Sequence, residues 1–402
     1  MSRGRVVFIF LSLTTVFLVI GSTMVAASNR QDDDGSDSPY KYMAVFMEVF
    51  GLVSKAYVDE PEDASLMAGA FEGAVDALDP FSLYIPATAV TAYEQARTVG
   101  SKRSGMLVLK DRGVAFVVAV EEGSPADEAG LEKGDILSLI EGRPTRETPL
   151  YEIHGVLAGK PGTVIEVERL RNGQKDDIEL TLGEYERPAV VLEQHRGVPV
   201  LRVPGFYDGT LASVEESLRT LTRGSEGLPG LEQSGKLLID LRGVAGGEES
   251  VAYAVAGLFT SGDLGSLRSR DKALESFSTD GDSPWQGDLA VLIDRGTQGA
   301  AEVLVSVLSQ STEATLVGEA TFGHSGRKRM ISLSDGGRLE VTHAFFTGPD
   351  QTPINEALDP DVRVRVAPWL ADDEDAEKDP VLERGLDQLL GDGAEDEEKV
   401  AA

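Results

Sequence analysis

The feature that most constrains this chain is a succession of short apolar runs that break on glycine and restart as helices. Lys236-Leu237-Leu238-Ile239-Asp240-Leu241-Arg242 is near-continuously apolar, the pattern of a strand in a sheet covered on both faces. It leads into Gly243-Val244-Ala245-Gly246-Gly247 and then a helix to about Phe259. Residues 289–293 read as the next strand, followed by a helix over 300–309 and a strand over 314–318. Val198-Pro199-Val200-Leu201-Arg202-Val203 reads as an earlier strand, with Phe206 after a turn.

The 402 residues suggest two or three domains, and 41% hydrophobic content is enough to bury a core. A formal net charge of −31 argues against a broad basic surface for nucleic acid, so no nucleic-acid partner is expected. With no cysteine there is no disulfide, thiol nucleophile or thiolate metal site. The four histidines, at 154, 195, 324 and 343, are not spaced as a zinc pair, and neither a metal nor a cofactor is expected.

Arg3 and Arg5 precede a run without charge over 6–27, which is the pattern of an export signal or of a membrane anchor. Val25-Ala26-Ala27 suits cleavage, and the length also suits a span, so both readings stay open. Either way the remainder is expected outside the cytoplasm, periplasmic or extracytoplasmic, since the basic end stays inside. Residues 28–39 are a polar linker and 40–97 a helical segment, with Met43, Phe46, Met47, Phe50 and Val53 at helical spacing. A second helix is expected over 64–78, stopped by Asp79-Pro80. The end, 367–402, is an acidic tail holding one helical piece at 380–390.

The strand Gly113-Val114-Ala115-Phe116-Val117-Val118-Ala119-Val120 precedes Gly123-Ser124-Pro125-Ala126-Asp127-Glu128-Ala129-Gly130-Leu131-Glu132-Lys133-Gly134-Asp135-Ile136. On this phrase, G-S-P-A-x-x-A-G-L-x-x-G-D-x-I, residues 98–186 resemble a PDZ domain, which implies a β-rich fold with two helices. Pro125 starts a short helix, Gly130 ends it, and Gly134-Asp135 turns into the next strand. A second helix is expected over 150–157, then a hairpin of strands 164–169 and 177–182 about Asn172-Gly173. Such domains add an extended C-terminus as a strand and hold its carboxylate in a backbone nest. The resemblance places that nest near Gly105, Met106 and Leu107, and Leu150 and His154 are candidate groove contacts on the second helix. A PDZ serving only as a spacer is the competing reading.

Asp294-Arg295-Gly296-Thr297-Gln298-Gly299-Ala300-Ala301-Glu302 aligns with a phrase N-x-G-S-A-S-A-S-E, and Val317-Gly318-Glu319-Ala320-Thr321-Phe322-Gly323-His324 with V-G-E-x-T-F-G-K. Asp240-Leu241-Arg242 with Gly246-Gly247 fits D-L-R-x-N-P-G-G, and Leu333-Ser334-Asp335-Gly336-Gly337-Arg338-Leu339-Glu340-Val341-Thr342 fits a closing hairpin L-x-D-G-G-x-L-x-V-T. On these motifs residues 188–366 resemble the core of the carboxyl-terminal processing (tail-specific) serine peptidases, implying an α/β fold related to the crotonase-like folds. The resemblance implies a Ser nucleophile, a Lys base and an orienting Gln. Those positions hold Gly299, His324 and Lys328, so none of the triad is intact, while Gly246 and Gly247 remain candidates for the oxyanion loop.

The expectation is a multidomain, exported pseudopeptidase that binds protein C-termini or unfolded segments without cutting them. The alternative is an active serine-type endopeptidase with relocated residues, Thr297 or Ser325 serving as nucleophile with His324 as base. A membrane partner is expected only if the N-terminal segment is uncleaved, and assembly as a homo-oligomer stays open.

Overall fold

The computed structural model describes residues 39–223, 235–281, 283–364 and 379–391. The expected signal or anchor at 6–27, the linker up to 38 and most of the acidic tail lie outside the described residues. No helix among the described residues is long and apolar enough to cross a membrane.

The chain divides into two compact units, 1–69 and 70–402. In the first, α1 (Pro39–Ala56) forms on the expected periodicity, with Phe46 and Phe50 one turn apart and their ring centroids at 6.4 Å. Tyr42, Met43, Met47 and Leu52 on it are exposed. α2 (Asp63–Asp76) begins in this unit and stops ahead of Asp79-Pro80. The Asp79 carboxylate accepts from the Phe81 and Ser82 N–H groups at 2.9 and 2.7 Å, closing a turn that redirects the chain.

The second unit starts with a strand that helical spacing did not announce, β1 (Leu83–Ile85), followed by α3 (Val90–Val99). β2 (Met106–Asp111), β3 (Val114–Val120), α4 (Pro125–Glu128), β4 (Ile136–Ile140), β5 (Arg143–Pro144), α5 (Leu150–Leu157), β6 (Val164–Arg171) and β7 (Gln174–Thr181) form the β-rich domain with two helices. Its sheet runs β2-β3-β4-β6-β7, with β5 on β4. Ser124 caps α4 by accepting from the Asp127 N–H at 3.3 Å, with Pro125 in the first turn. The β6–β7 hairpin turns on Asn172 and Gly173 with φ of +51° and +79°, the two-residue turn whose twist matches the flanking strands.

The remainder is α/β. In chain order it comprises β8 (Val191–His195), β9 (Val198–Arg202), α6 (Thr210–Arg223), β10 (Lys236–Asp240), α7 (Glu249–Ala256), β11 (Gly262–Arg268), β12 (Ala273–Thr279) and β13 (Asp288–Ile293). Then come α8 (Ala300–Ser311), β14 (Thr315–Gly318), β15 (Gly326–Ser332), β16 (Arg338–Phe346), β17 (Val362–Arg363) and α9 (Pro380–Leu390). A six-stranded sheet runs β17-β14-β13-β10-β9-β8, parallel except for β8 on β9. Its central strands β10 and β13 are buried almost throughout, as their unbroken apolar runs require. A second sheet runs β1-β16-β11-β12 with β15 on β16. β1 therefore belongs to this sheet, pairing Leu83 with Glu340, so part of the segment expected to be helical is a strand. Phe81, Leu83, Ile85 and Tyr93 share one core with Met106, Leu109, Ile153 and Leu157.

Candidate functional site

The site is built where β13 ends and α8 begins. Asp294 closes the turn: its Oδ1 accepts from the N–H groups of Gly243, Gly296 and Thr297 at 2.9, 2.8 and 3.1 Å. Its Oδ2 is paired with Lys133 of the β-rich domain. The Gln298 N–H donates to the Val244 carbonyl at 2.9 Å, which stitches this turn to the 243–247 loop.

Gly299 is the residue before α8, with φ +63° and ψ −117°, a conformation that L side chains rarely adopt. A Cβ built there meets no atom within 4 Å, so the space for a side chain exists. Its N–H donates to Glu302 Oε2 at 3.1 Å.

Glu302 is the residue that sequence reasoning missed. It is fully buried, and its carboxylate also accepts from the N–H groups of Gly323 and His324 at 2.5 and 2.9 Å and from the Thr321 hydroxyl at 2.6 Å. Burial pushes its pKa up, and these hydrogen bonds oppose the rise. Glu302 thus clamps position 299 to the 321–325 loop. Its signal was visible: one charge within Ala300-Ala301-Glu302-Val303-Leu304-Val305, a helix buried on every side, must be partnered.

His324 is brought beside Gly299 by that clamp. Its ring stacks on Phe81 at 4.0 Å and 16°, stands edge-on to Phe345 at 5.2 Å, and reaches the Thr342 hydroxyl at 3.4 Å. Burial lowers its pKa to about 4, with Asp79 raising it and Lys328 lowering it further. It is therefore neutral at pH 7 and a weak base.

The hydroxyls weighed as substitutes are both buried and committed. Thr297 Oγ1 donates to the Leu241 carbonyl at 2.9 Å and accepts from the Asp294 N–H at 3.0 Å. Ser325 Oγ donates to the Gly299 carbonyl at 2.8 Å. Neither is hydrogen-bonded to the His324 ring, whose polar contact among the described residues is Thr342.

The two loop glycines are fixed by Phe206 and Tyr207. A Cβ at Gly247, where φ is +121°, would lie 2.4 Å from the Phe206 carbonyl oxygen, and one at Gly246 would strike the Tyr207 hydroxyl at 1.9 Å. The Phe206 N–H donates to the Gly246 carbonyl at 3.1 Å, and the Glu248 N–H to the Phe206 carbonyl at 2.7 Å. Close backbone approach and a positive φ demand glycine at 247, while at 246 a Cβ would displace the Tyr207 ring.

A groove of about 400 Å³ lies between the β-rich domain and the α/β core. Gly105, Met106, Leu107 and His154 line it from one side, Gly243 to Gly246 from the other, and Lys328 joins them from β15. Of the three positions that the resemblance aligns with the triad, Gly299 and His324 are buried and do not line the groove, and Lys328 does. Leu150 is a correction. It is buried in the domain core with Leu83 and Leu109, and Leu157, at the other end of α5, lines the groove in its place. Part of the expected nest is engaged within the chain, since the Gly105 N–H donates to the Ser101 carbonyl at 2.6 Å. His154 Nε2 likewise engages the Val108 carbonyl at 2.8 Å, on the strand edge where a ligand strand would pair.

These features agree with comparisons to known proteins. Peptidase family S41 matches residues 197–364, and the PDZ domain matches residues 116–171. The chain is 26% identical over 362 residues to a carboxy-terminal-processing protease of Bartonella bacilliformis, spanning 89% of this chain and 80% of that protein. It is 21% identical over 363 residues to the carboxy-terminal processing protease CtpA of Bacillus subtilis, spanning 88% and 74%. It is 25% identical over 365 residues to the chloroplastic C-terminal processing peptidase of Tetradesmus obliquus, spanning 80% and 76%. The solved photosystem II D1 C-terminal processing protease has the same fold, with a TM-score of 0.63 at 24% identity over 80% of this chain and 92% of that one. A groove-forming PDZ domain thus lies ahead of an α/β core whose residues 197–364 match peptidase family S41, in a chain similar over most of its length to the carboxy-terminal-processing proteases.

Proposed function

We propose that this protein binds C-terminal or extended polypeptide segments outside the cytoplasm without hydrolysing them. The observation that carries the reading is position 299, where the nucleophile-bearing turn is kept in shape but ends in a residue with no side chain. Acyl transfer needs an exposed hydroxyl, a base poised near the working pH and access for substrate. Thr297 and Ser325 are buried with their hydrogens donated to carbonyls, and His324 titrates near pH 4 away from the groove. These features weigh against the rival reading, an endopeptidase with relocated residues.

Export rests on the basic start and apolar run at 6–27. The exposed Tyr42, Met43, Met47 and Leu52 of α1 are compatible with a homo-oligomer.

The test is a peptidase assay on an unfolded protein and on a peptide ending in Ala-Ala, with the natural chain beside the triple variant Gly299→Ser, His324→Lys, Lys328→Gln. Binding by the natural chain with no cleavage is the expected result, and cleavage by the triple variant would add that the turn keeps its catalytic geometry. Turnover by the natural chain that disappears in Thr297→Val or His324→Phe would overturn the reading in favour of a relocated site.

A further inference from the structure

Four cationic side chains line the groove, and their charges are not alike in company. Arg97 faces Glu340 at 3.3 Å, and Glu340 also receives the Tyr93 hydroxyl at 2.5 Å. Arg202 faces Glu122 at 3.7 Å and Asp240 at 3.9 Å. Arg242 is held between Asp240 and Asp379, each at 2.7 Å. Lys328 is exposed, and among the described residues its ammonium group has no ion pair or hydrogen bond. It lines the groove from β15, across from Gly105, Met106 and His154.

Two of the three backbone donors of the expected nest are meanwhile engaged within the chain. The Gly105 N–H is spent on Ser101, and the Met106 N–H lies 3.4 Å from Ser104 Oγ. His154 is kept neutral, chiefly by burial, and its Nε2 is bound to the Val108 carbonyl. A carboxylate entering the groove therefore meets, on the β15 side, a cation that has no ion pair among the described residues.

We infer that Lys328 is the carboxylate anchor of the groove, holding the free C-terminal carboxylate of a bound polypeptide by a charge-assisted hydrogen bond. The position that the family resemblance gives to the orienting Gln has thereby become a ligand contact. The inference rests on the polypeptide-binding reading above and names the residue that selects for a chain end.

The experiment measures fluorescence anisotropy of labelled peptides with the full chain. One peptide ends in Ala-Ala with a free carboxylate, the second is its amide, and the third is an amide carrying Glu as its last residue. The natural chain is compared with Lys328→Gln and Lys328→Arg, with Lys160→Gln as a control outside the groove. The free acid should bind more tightly than either amide, and Lys328→Gln should weaken the free acid alone by about 10-fold. Lys328→Arg, which keeps the charge, should retain most of the preference, and an unchanged urea midpoint would show that each variant is folded. A preference that survives Lys328→Gln overturns the inference and returns the carboxylate to the backbone nest. Equal weakening of acid and amide also overturns it. Lys328-dependent binding of the Glu amide in preference to the free acid would move the contact to a side-chain carboxylate. No binding of any peptide by the natural chain would instead sink the polypeptide-binding reading itself.

Discussion

A Cβ at position 299 has room, but the backbone there, at φ +63° and ψ −117°, suits glycine far better than any L side chain. Gly299→Ser should therefore fold, and should lose about 1–2 kcal/mol to backbone strain rather than to a clash. Gly299→Ala should lose the same amount, because the cost lies in the backbone and not in the hydroxyl. Urea unfolding of both variants checks this, and a loss in serine alone would point to a contact that the geometry does not contain. Nearby, Thr297 and Ser325 show why a residue type does not make a nucleophile: each hydroxyl is already half of a buried hydrogen bond.

Between elements, two polar clusters fasten the PDZ domain to the α/β core. Lys133 reaches the Asp294 carboxylate in the turn before α8. Glu121, just past β3, receives the Tyr185 hydroxyl at 2.8 Å, the Arg187 Nε–H at 2.9 Å and the Tyr207 hydroxyl at 3.3 Å, while Arg187 lies 3.9 Å over the Tyr207 ring. The Asp294 ties differ in kind. Lys133 is partly exposed, so Lys133→Ala should cost less than about 1 kcal/mol. Asp294→Ala strands the N–H groups of Gly243, Gly296 and Thr297 together, and should cost about 3 kcal/mol. Comparable losses in the two variants, measured by urea unfolding, would mean that the interdomain ion pair dominates instead.

Across the whole molecule the buried His324 couples stability to pH. Its folded pKa, about 4, lies below its ordinary 6.5 because burial disfavours the charged ring. The unfolded chain therefore binds the proton first. The neutral ring's contribution is full above pH 6.5 and is lost as pH falls towards about 4. Between pH 7 and pH 5 the natural chain should lose about 2 kcal/mol more than His324→Phe, which keeps a ring against Phe81 and Phe345 but cannot titrate. Glu249, raised to about 6 mainly by burial, acts in the opposite direction and is common to both proteins, so it cancels in the difference. Parallel stability curves for the two proteins would show that position 324 is wetter than its packing implies.

The sequence by itself determined the PDZ phrase, the apolar strands β10 and β13, the Asn172-Gly173 hairpin and the absence of a hydroxyl at 299. Each follows from periodicity, turn chemistry or residue identity within a few neighbours. Helical spacing hid β1, because its pairing with β16 joins residues more than two hundred positions apart. For the same reason helical spacing offers Leu150 as a groove contact, whereas it is buried in one core with Leu83. Only the tertiary structure decided that Glu302 clamps two loops, that His324 is stacked out of reach of the groove, and that Lys328 faces into it. Hydrogen bonds and burial of this kind depend on which distant segments fold against one another, and no local pattern in the chain records that.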